Sequence, residues 1–422
     1  MTPADLFPST SRQPTESLSY VMAGTVLSDG NALPDHVVAV VGDRIGFAGP
    51  RSSFDAADYP GAVELELPAG GFILPGLVDL HCHGAAGGDF PGGDEEACRT
   101  AVDFLHRNGT TTLLASLVTA SRDDLLKAIR SLRVLAGEGL IAGIHAEGPF
   151  LSTARCGAQN PDWLRHPDLA LTAEMLEVAG GSLKSMTYAP ELPGAKDLVS
   201  LLAQHGVTPS LGHTDADPST AASSLEHAAE SLAAAPGSWA GTRPTVTHLF
   251  NGMPPLHHRN PGPASACLRL ARAGTAAVEL IADGVHLSPE TVRMVFELVG
   301  AENVVLVTDS MAATGLPDGD YALGPASVSV RDSVATLQSN GALAGGTATM
   351  LDVVRRTVAA GVSAADAAAS ASCVPAGILG MGHEVGSVRP GMRADLLAVD
   401  AEFSLLTVLR SGTLLGPAAA CP

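Results

Sequence analysis

Lysine is almost missing from this 422-residue chain: of its 24 basic residues only Lys127, Lys184 and Lys196 are lysines. The scarcity reads as compositional bias, and it leaves few candidates for any role that needs an amine. No stretch approaches the ~18 apolar residues of a membrane span, and the start of the chain shows no basic-then-apolar signal pattern. A soluble protein in the cytoplasm, with no membrane partner, is the expectation. Positive charge is also short: 44 acidic residues against 24 basic ones give a net charge of −20. That excludes a phosphate-backbone binder, because nucleic-acid affinity rests on Lys and Arg. No C-x-x-C pair occurs among Cys82, Cys98, Cys156, Cys267, Cys373 and Cys421, in a chain too long to need stapling, so reduced thiols are expected.

What remains is globular in composition, with 46% apolar and 16% charged residues and a mean hydropathy of +0.23. The length allows one large domain or two ordinary ones. Residues 1–17 are polar and rich in Pro and Ser, a frayed leader. Residues 18–73 contain short β-rich pieces with turn signals (VMAGTVLSDG, HVVAVVGDRIGFAG), and 382–422 look similar. The two ends are expected to build one small β-sandwich domain together. The middle, 74–381, alternates strand and helix patterns. Eight apolar strands (GLVDLHCHG, TTLLASLVT, IAGIHAEGPF, LKSMTYAPE, VTPSLGHT, PTVTHLFNGM, AVELIADGVH, VVLVTDSM) are separated by helical stretches such as RDDLLKAIRSLRVLAG. This α/β alternation, over a length typical of the fold, predicts a (β/α)8 TIM-like barrel. A doubly wound open sheet is the competitor, but no G-x-G-x-x-G follows the first strand.

The polar residues fall at the strand ends, where barrel enzymes carry their chemistry. His81 and His83 are two apart, so both imidazoles share one strand face while Cys82 points to the helix layer; the pair suits a divalent ion. By itself H-x-H is as consistent with a packed hydrogen-bonded pair. Glu147, in an apolar strand running into Gly-Pro, would cost several kcal/mol to bury unless paired or coordinated, and its two oxygens can bridge two ions. His145 shares its face, as outer support or as a satisfied core histidine. His213 and His248 each end a strand of their own, and with Glu147 they form a set of two imidazoles and one carboxylate with open positions. Asp309 closes the eighth strand, placed to act as base for an activated water; a helix N-cap is its other reading. The ligand types admit one or two ions of zinc, the first choice, or of iron, manganese or cobalt. The histidines elsewhere, His106 among them, are expected to be solvated or capped. Cys156 reads as an inert thiol, or else as a redox-sensitive one.

In order and approximate spacing, PGLVDLHCHG, HAEGPFL, LGHT, THLFNGM, HHRNPG, IADGVH and VTDS resemble the amidohydrolase superfamily, and within it the N-acetylglucosamine-6-phosphate deacetylases, over nearly the whole chain. The resemblance implies metal-dependent hydrolysis of an N-acetyl amino-sugar phosphate. Glu147, His213 and His248 match the ligands of the family's common metal, His81 and His83 those of members holding a second ion, and Asp309 the base. Asn251, Gly252 and His286 match groups that hold the sugar phosphate. Arg259 matches a phosphate-binding arginine supplied by the neighbouring subunit, which implies a homodimer. Gln159 stands where the family has a histidine that polarises the acetyl carbonyl. Either its amide takes over that contact, or a second ion polarises the carbonyl. Two rivals remain: an amidohydrolase whose metals are bridged by a carboxylated lysine, which no lysine here is placed to serve, and a non-catalytic scaffold, which would have lost ligands.

Overall fold

The structure, a computed structural model, describes residues 19–239 and 241–416; the expected leader at 1–17 and Cys421 lie outside the described residues. The middle of the chain forms eight parallel strands in sequential order: β1 Leu77–Cys82, β2 Thr110–Leu117, β3 Gly143–Glu147, β4 Leu183–Tyr188, β5 Thr208–Leu211, β6 Thr245–Val246, β7 Ala277–Leu280 and β8 Val304–Leu306. Every residue of β2 and β3 is buried, as expected of strands covered on both faces. The ring closes just past the ends of β1 and β8. The Asp309 N–H donates to the His81 carbonyl at 2.9 Å, His83 N–H donates to Ser310 O at 2.6 Å, and Cys82 and Ser310 form a parallel bridge. The chain is therefore a (β/α)8 barrel.

The helices follow from local signals. In the helix Arg122–Gly137, the Ser121 side chain accepts from Asp124 N–H, and Asp123 and Asp124 favour the positive helix start. Leu125, Ile129 and Leu132, at helical spacing, are buried on its inner face. The helix Pro289–Val299 starts on a Ser288 cap with proline at its first position, where no N–H is needed.

Both chain ends join in one further eight-stranded sheet. The late strand Leu396–Val399 pairs antiparallel with the early strand Phe72–Pro75, which pairs in parallel with Ser19–Ser28. Met22, Val38, Val40, Ile73 and Leu396 pack together in its own core. A three-stranded antiparallel sheet not separated in the sequence reading (Gly319–Leu323, Ala326–Arg331, Val334–Leu337) is inserted after β8. Its second turn places Asp332 and Ser333 at φ 52° and 63°, as a two-residue hairpin loop demands. Among the described residues no helix is long and apolar enough to cross a membrane.

Candidate active site

The loops leaving the C-terminal ends of the strands surround a cavity of about 270 Å³. Three side chains that line it sit two or three residues beyond their strands with left-handed backbones: His213 at φ 47°, His248 at 27° and Asp309 at 49°. Such conformations cost about 1–3 kcal/mol each and persist where the surroundings over-determine them. Here the turn ends the extended run at the barrel mouth and keeps each side chain there.

Glu147, at the end of β3 and 3% exposed, is the centre of the arrangement. Its Oε1 lies 2.9 Å from both His213 Nε2 and His248 Nε2. Its Oε2 lies 3.4 Å from His83 Nε2 and 3.7 Å from His81 Nε2. Asp309 Oδ1 closes the group from β8, 3.1 Å from His83 Nε2 and 3.4 Å from His81 Nε2. Four imidazoles from three strands thus aim Nε2 at two buried carboxylates, and His81 and His83 aim theirs at each other across 3.1 Å.

This charge balance calls for cations. Burial pushes Glu147 and Asp309 towards the neutral form, but the facing imidazoles win and hold both carboxyls below the usual range, Asp309 at about 2. Conversely, burial pulls His83 down and the same carboxylates overcome it, raising the ring to about 9. A cluster that draws protons onto buried imidazoles is equally suited to a dication. Two sets have ligand atoms within 4.8 Å of one another: His81, His83 and Asp309, and His81, Glu147 and His248. His213 joins the second set through Glu147 Oε1. Imidazole nitrogens with carboxylate oxygens suit a borderline divalent metal. The outward nitrogens fit as well: His213 Nδ1 is bonded to the Arg155 carbonyl at 2.7 Å, which leaves Nε2 free to face inwards.

The other candidate residues divide. Gln159, Asn251, Gly252 and His286 line the cavity. Gln159 is buried and oriented at both ends: Thr119 N–H donates to its Oε1 at 2.7 Å, and its Nε2 donates to Glu147 Oε2 at 2.6 Å. Gly252 has φ +63°, and a Cβ there would meet His213 Nδ1 at 2.8 Å, so only glycine lets this loop lie against the ring. His286 Nδ1 pairs with Asp283 Oδ2 at 2.8 Å; burial lowers the imidazole, but the hydrogen bond and charge of Asp283 more than offset it and raise its pKa. Arg259 does not join its own chain's cavity. It is exposed on the loop after Met253, and no Lys or Arg lines the cavity among the described residues. Lys184 lies at the start of β4, the end away from the site, so a lysine bridge has no candidate there.

Several features escaped the sequence reading. The inserted sheet and the loop after it contribute Leu323, Ala342, Leu343 and Gly345 to the cavity wall. Asp79 and Glu279 are carboxylates buried in barrel strands, detectable by the rule that singled out Glu147. Asp79 accepts from Thr308 Oγ1 at 2.6 Å, fastening β1 to the end of β8. His106, expected to be solvated or capped, is buried instead, and burial lowers its pKa to about 3. Cys82 packs away from the site, as the strand alternation predicts, its thiol donating to the Leu114 carbonyl at 3.4 Å.

Residues 72–415 match the sequence profile of the amidohydrolase family. The N-acetylglucosamine-6-phosphate deacetylase of Bacillus subtilis (strain 168) is 35% identical over 364 residues, covering 84% of this chain and 87% of that protein. That of Vibrio furnissii is 32% identical over 393 residues, covering 92% of each. The structure of a mutant of N-acetyl-D-glucosamine-6-phosphate deacetylase from Mycobacterium smegmatis, in complex with N-acetyl-D-glucosamine-6-phosphate, superimposes with a TM-score of 0.84 at 35% identity, over 94% of this chain and 99% of that one.

Proposed function

The chain belongs to the amidohydrolase family, and we propose that it hydrolyses the N-acetyl group of N-acetylglucosamine 6-phosphate, releasing acetate and glucosamine 6-phosphate. The observation that carries this reading is the meeting of His81, His83, His213, His248 and Asp309 around Glu147 at the barrel mouth. His81, His83, Glu147, His213 and His248 would hold one or two divalent ions, zinc first among them, with Glu147 shared. When bound, such ions supply Lewis acidity that acidifies water and polarises a carbonyl.

The chain's own groups then have defined tasks. Asp309, held ionised by its imidazole neighbours, accepts a proton from the attacking water at a carboxylate oxygen. It returns that proton to the amine nitrogen as the C–N bond breaks. Gln159 has one amide N–H engaged with Glu147 and the other to offer the acetyl oxygen. Asn251, Gly252 and His286 line the part of the cavity that would receive the sugar, with His286 biased towards its cationic form by Asp283. The net charge of −20 does not bar an anionic substrate, because screened surface carboxylates act over no more than about a Debye length of 8–10 Å.

A phosphate dianion needs more than one imidazolium, and no arginine among the described residues lines the cavity. Arg259, exposed beside Leu256 on the same loop, would supply the charge to the cavity of a second copy, making the working form a homodimer. The free cysteines among the described residues fit a reducing, cytoplasmic setting. The test is an acetate-release assay on N-acetylglucosamine 6-phosphate, combined with elemental analysis of the purified protein. Turnover with bound divalent ion supports the reading; metal-loaded protein that releases no acetate refutes it.

A further inference from the structure

Glu279 is the third residue of β7, in the apolar run AVEL, and is 3% exposed. An ionised carboxylate in that position costs several kcal/mol unless its neighbours compensate. No Lys or Arg among the described residues lies within 4.0 Å of it; its one basic neighbour at that range is His81, whose Nδ1 is 3.5 Å from Glu279 Oε2. The same oxygen accepts from the backbone N–H of His248 at 3.3 Å, and Leu249 N–H donates to the Glu279 carbonyl at 2.8 Å. Glu279 therefore touches two of the four imidazole-bearing residues from behind, without lining the cavity.

A neutral imidazole has one N–H and one lone pair, and the partner of one nitrogen decides which is which. His81 Nε2 faces Glu147, Asp309 and His83. It can give a lone pair in that direction only if the proton sits on Nδ1. Nδ1 is buried and has no hydrogen-bond partner, and the group behind it is Glu279, a few tenths of an ångström beyond a direct bond. His83 and His248 also carry buried Nδ1 atoms without partners, but among the described residues the carboxylates within 4.0 Å of their rings face Nε2. His213 is backed by a neutral carbonyl. A carboxylate behind a ligating imidazole fixes its tautomer and increases its basicity.

We propose that Glu279 is a positioning residue for the metal centre: it keeps the His81 proton on Nδ1 and, through the His248 backbone, ties that ring to a residue on the other side of Glu147. The inference rests on the reading of His81 as a ligand. It makes metal held through His81 dependent on Glu279.

The test compares wild type with Glu279→Gln and Glu279→Leu, reading zinc per subunit after gel filtration, resistance to a chelator series, and the melting temperature of the chelated proteins. Loss of a partner behind a ligand typically weakens metal affinity about 10–100-fold. Both variants should lose metal at correspondingly lower chelator concentration, Leu more than Gln because the Gln amide oxygen can still accept from Nδ1–H. The chelated proteins should melt together. Wild-type metal content and chelator resistance in both variants would overturn the proposal. So would a metal loss matched by an equal fall in the melting temperature of the chelated variants, since Glu279 would then serve barrel packing alone. Wild-type protein that takes up no divalent ion would instead refute the functional reading on which the proposal rests.

Discussion

Replacing Gly252 by alanine perturbs the site through one added carbon, and the structure allows its two effects to be separated. The first is backbone strain: at φ +63° a left-handed L-residue costs about 1–2 kcal/mol. The second is collision, because the new Cβ would stand 2.8 Å from His213 Nδ1 and 3.1 Å from Cε1. That ring is pinned at both ends, by Arg155 O at 2.7 Å and Glu147 Oε1 at 2.9 Å, so it cannot move away without weakening one of them, at about 0.5–3 kcal/mol. Gly139 provides the control: its φ is +72°, and a Cβ there would meet nothing within 4 Å. Gly139→Ala should therefore lose about 1–2 kcal/mol in urea unfolding and retain full acetate release. Gly252→Ala should lose about 1.5–5 kcal/mol, the strain plus the displaced contacts. Its turnover should drop by ~10²-fold, the order expected when a site residue shifts by about an ångström. If Gly252→Ala matches Gly139→Ala in rate and metal content, the tight packing of this loop against His213 has no functional consequence and the reasoning fails.

Three further outcomes follow from the same geometry. Asp309→Asn should lower kcat by at least ~10²–10⁴-fold while retaining the ion held through Glu147, His213 and His248; undiminished turnover would remove Asp309 as the proton carrier. Arg259→Ala should raise KM for the phosphorylated sugar about 10–100-fold, as expected for a lost charge-assisted contact, and leave hydrolysis of unphosphorylated N-acetylglucosamine unchanged; an equal loss on both would contradict its phosphate role. Because Asp283 raises the His286 pKa above its ordinary value, the imidazolium persists to higher pH than an unpaired one would and is lost as pH climbs past the raised value. Substrate affinity should therefore weaken as pH rises through that value, and Asp283→Asn should move the weakening to lower pH, as read from KM against pH.

The barrel was legible because each of its eight strands is a short apolar run ended by a polar or turn residue, and every one is present. Six polar side chains at strand ends could be grouped from spacing alone, since strand order in a barrel brings those ends to one mouth. Three things were not legible. Glu279 and Asp79 lie inside apolar runs, where attention to histidine spacing passes over carboxylates, yet their burial cost is the same signal that marked Glu147. The inserted sheet has a hairpin pattern in SVSVRDSVATL, hidden by its position inside a strand-helix alternation. The role of Gln159 depended on direction: sequence identifies an amide, while only coordinates show one end of it bonded to Glu147 and the other to Thr119.

The proposed reaction depends above all on Glu147 as the shared anchor of bound cations. Anomalous diffraction from crystals grown with zinc tests this directly. The prediction is density at the barrel mouth in contact with Glu147, with one ion also touching His213 and His248 and, where two are bound, the other touching His81 and His83. Strong anomalous density elsewhere with none against Glu147, in crystals of protein that releases acetate, would contradict it.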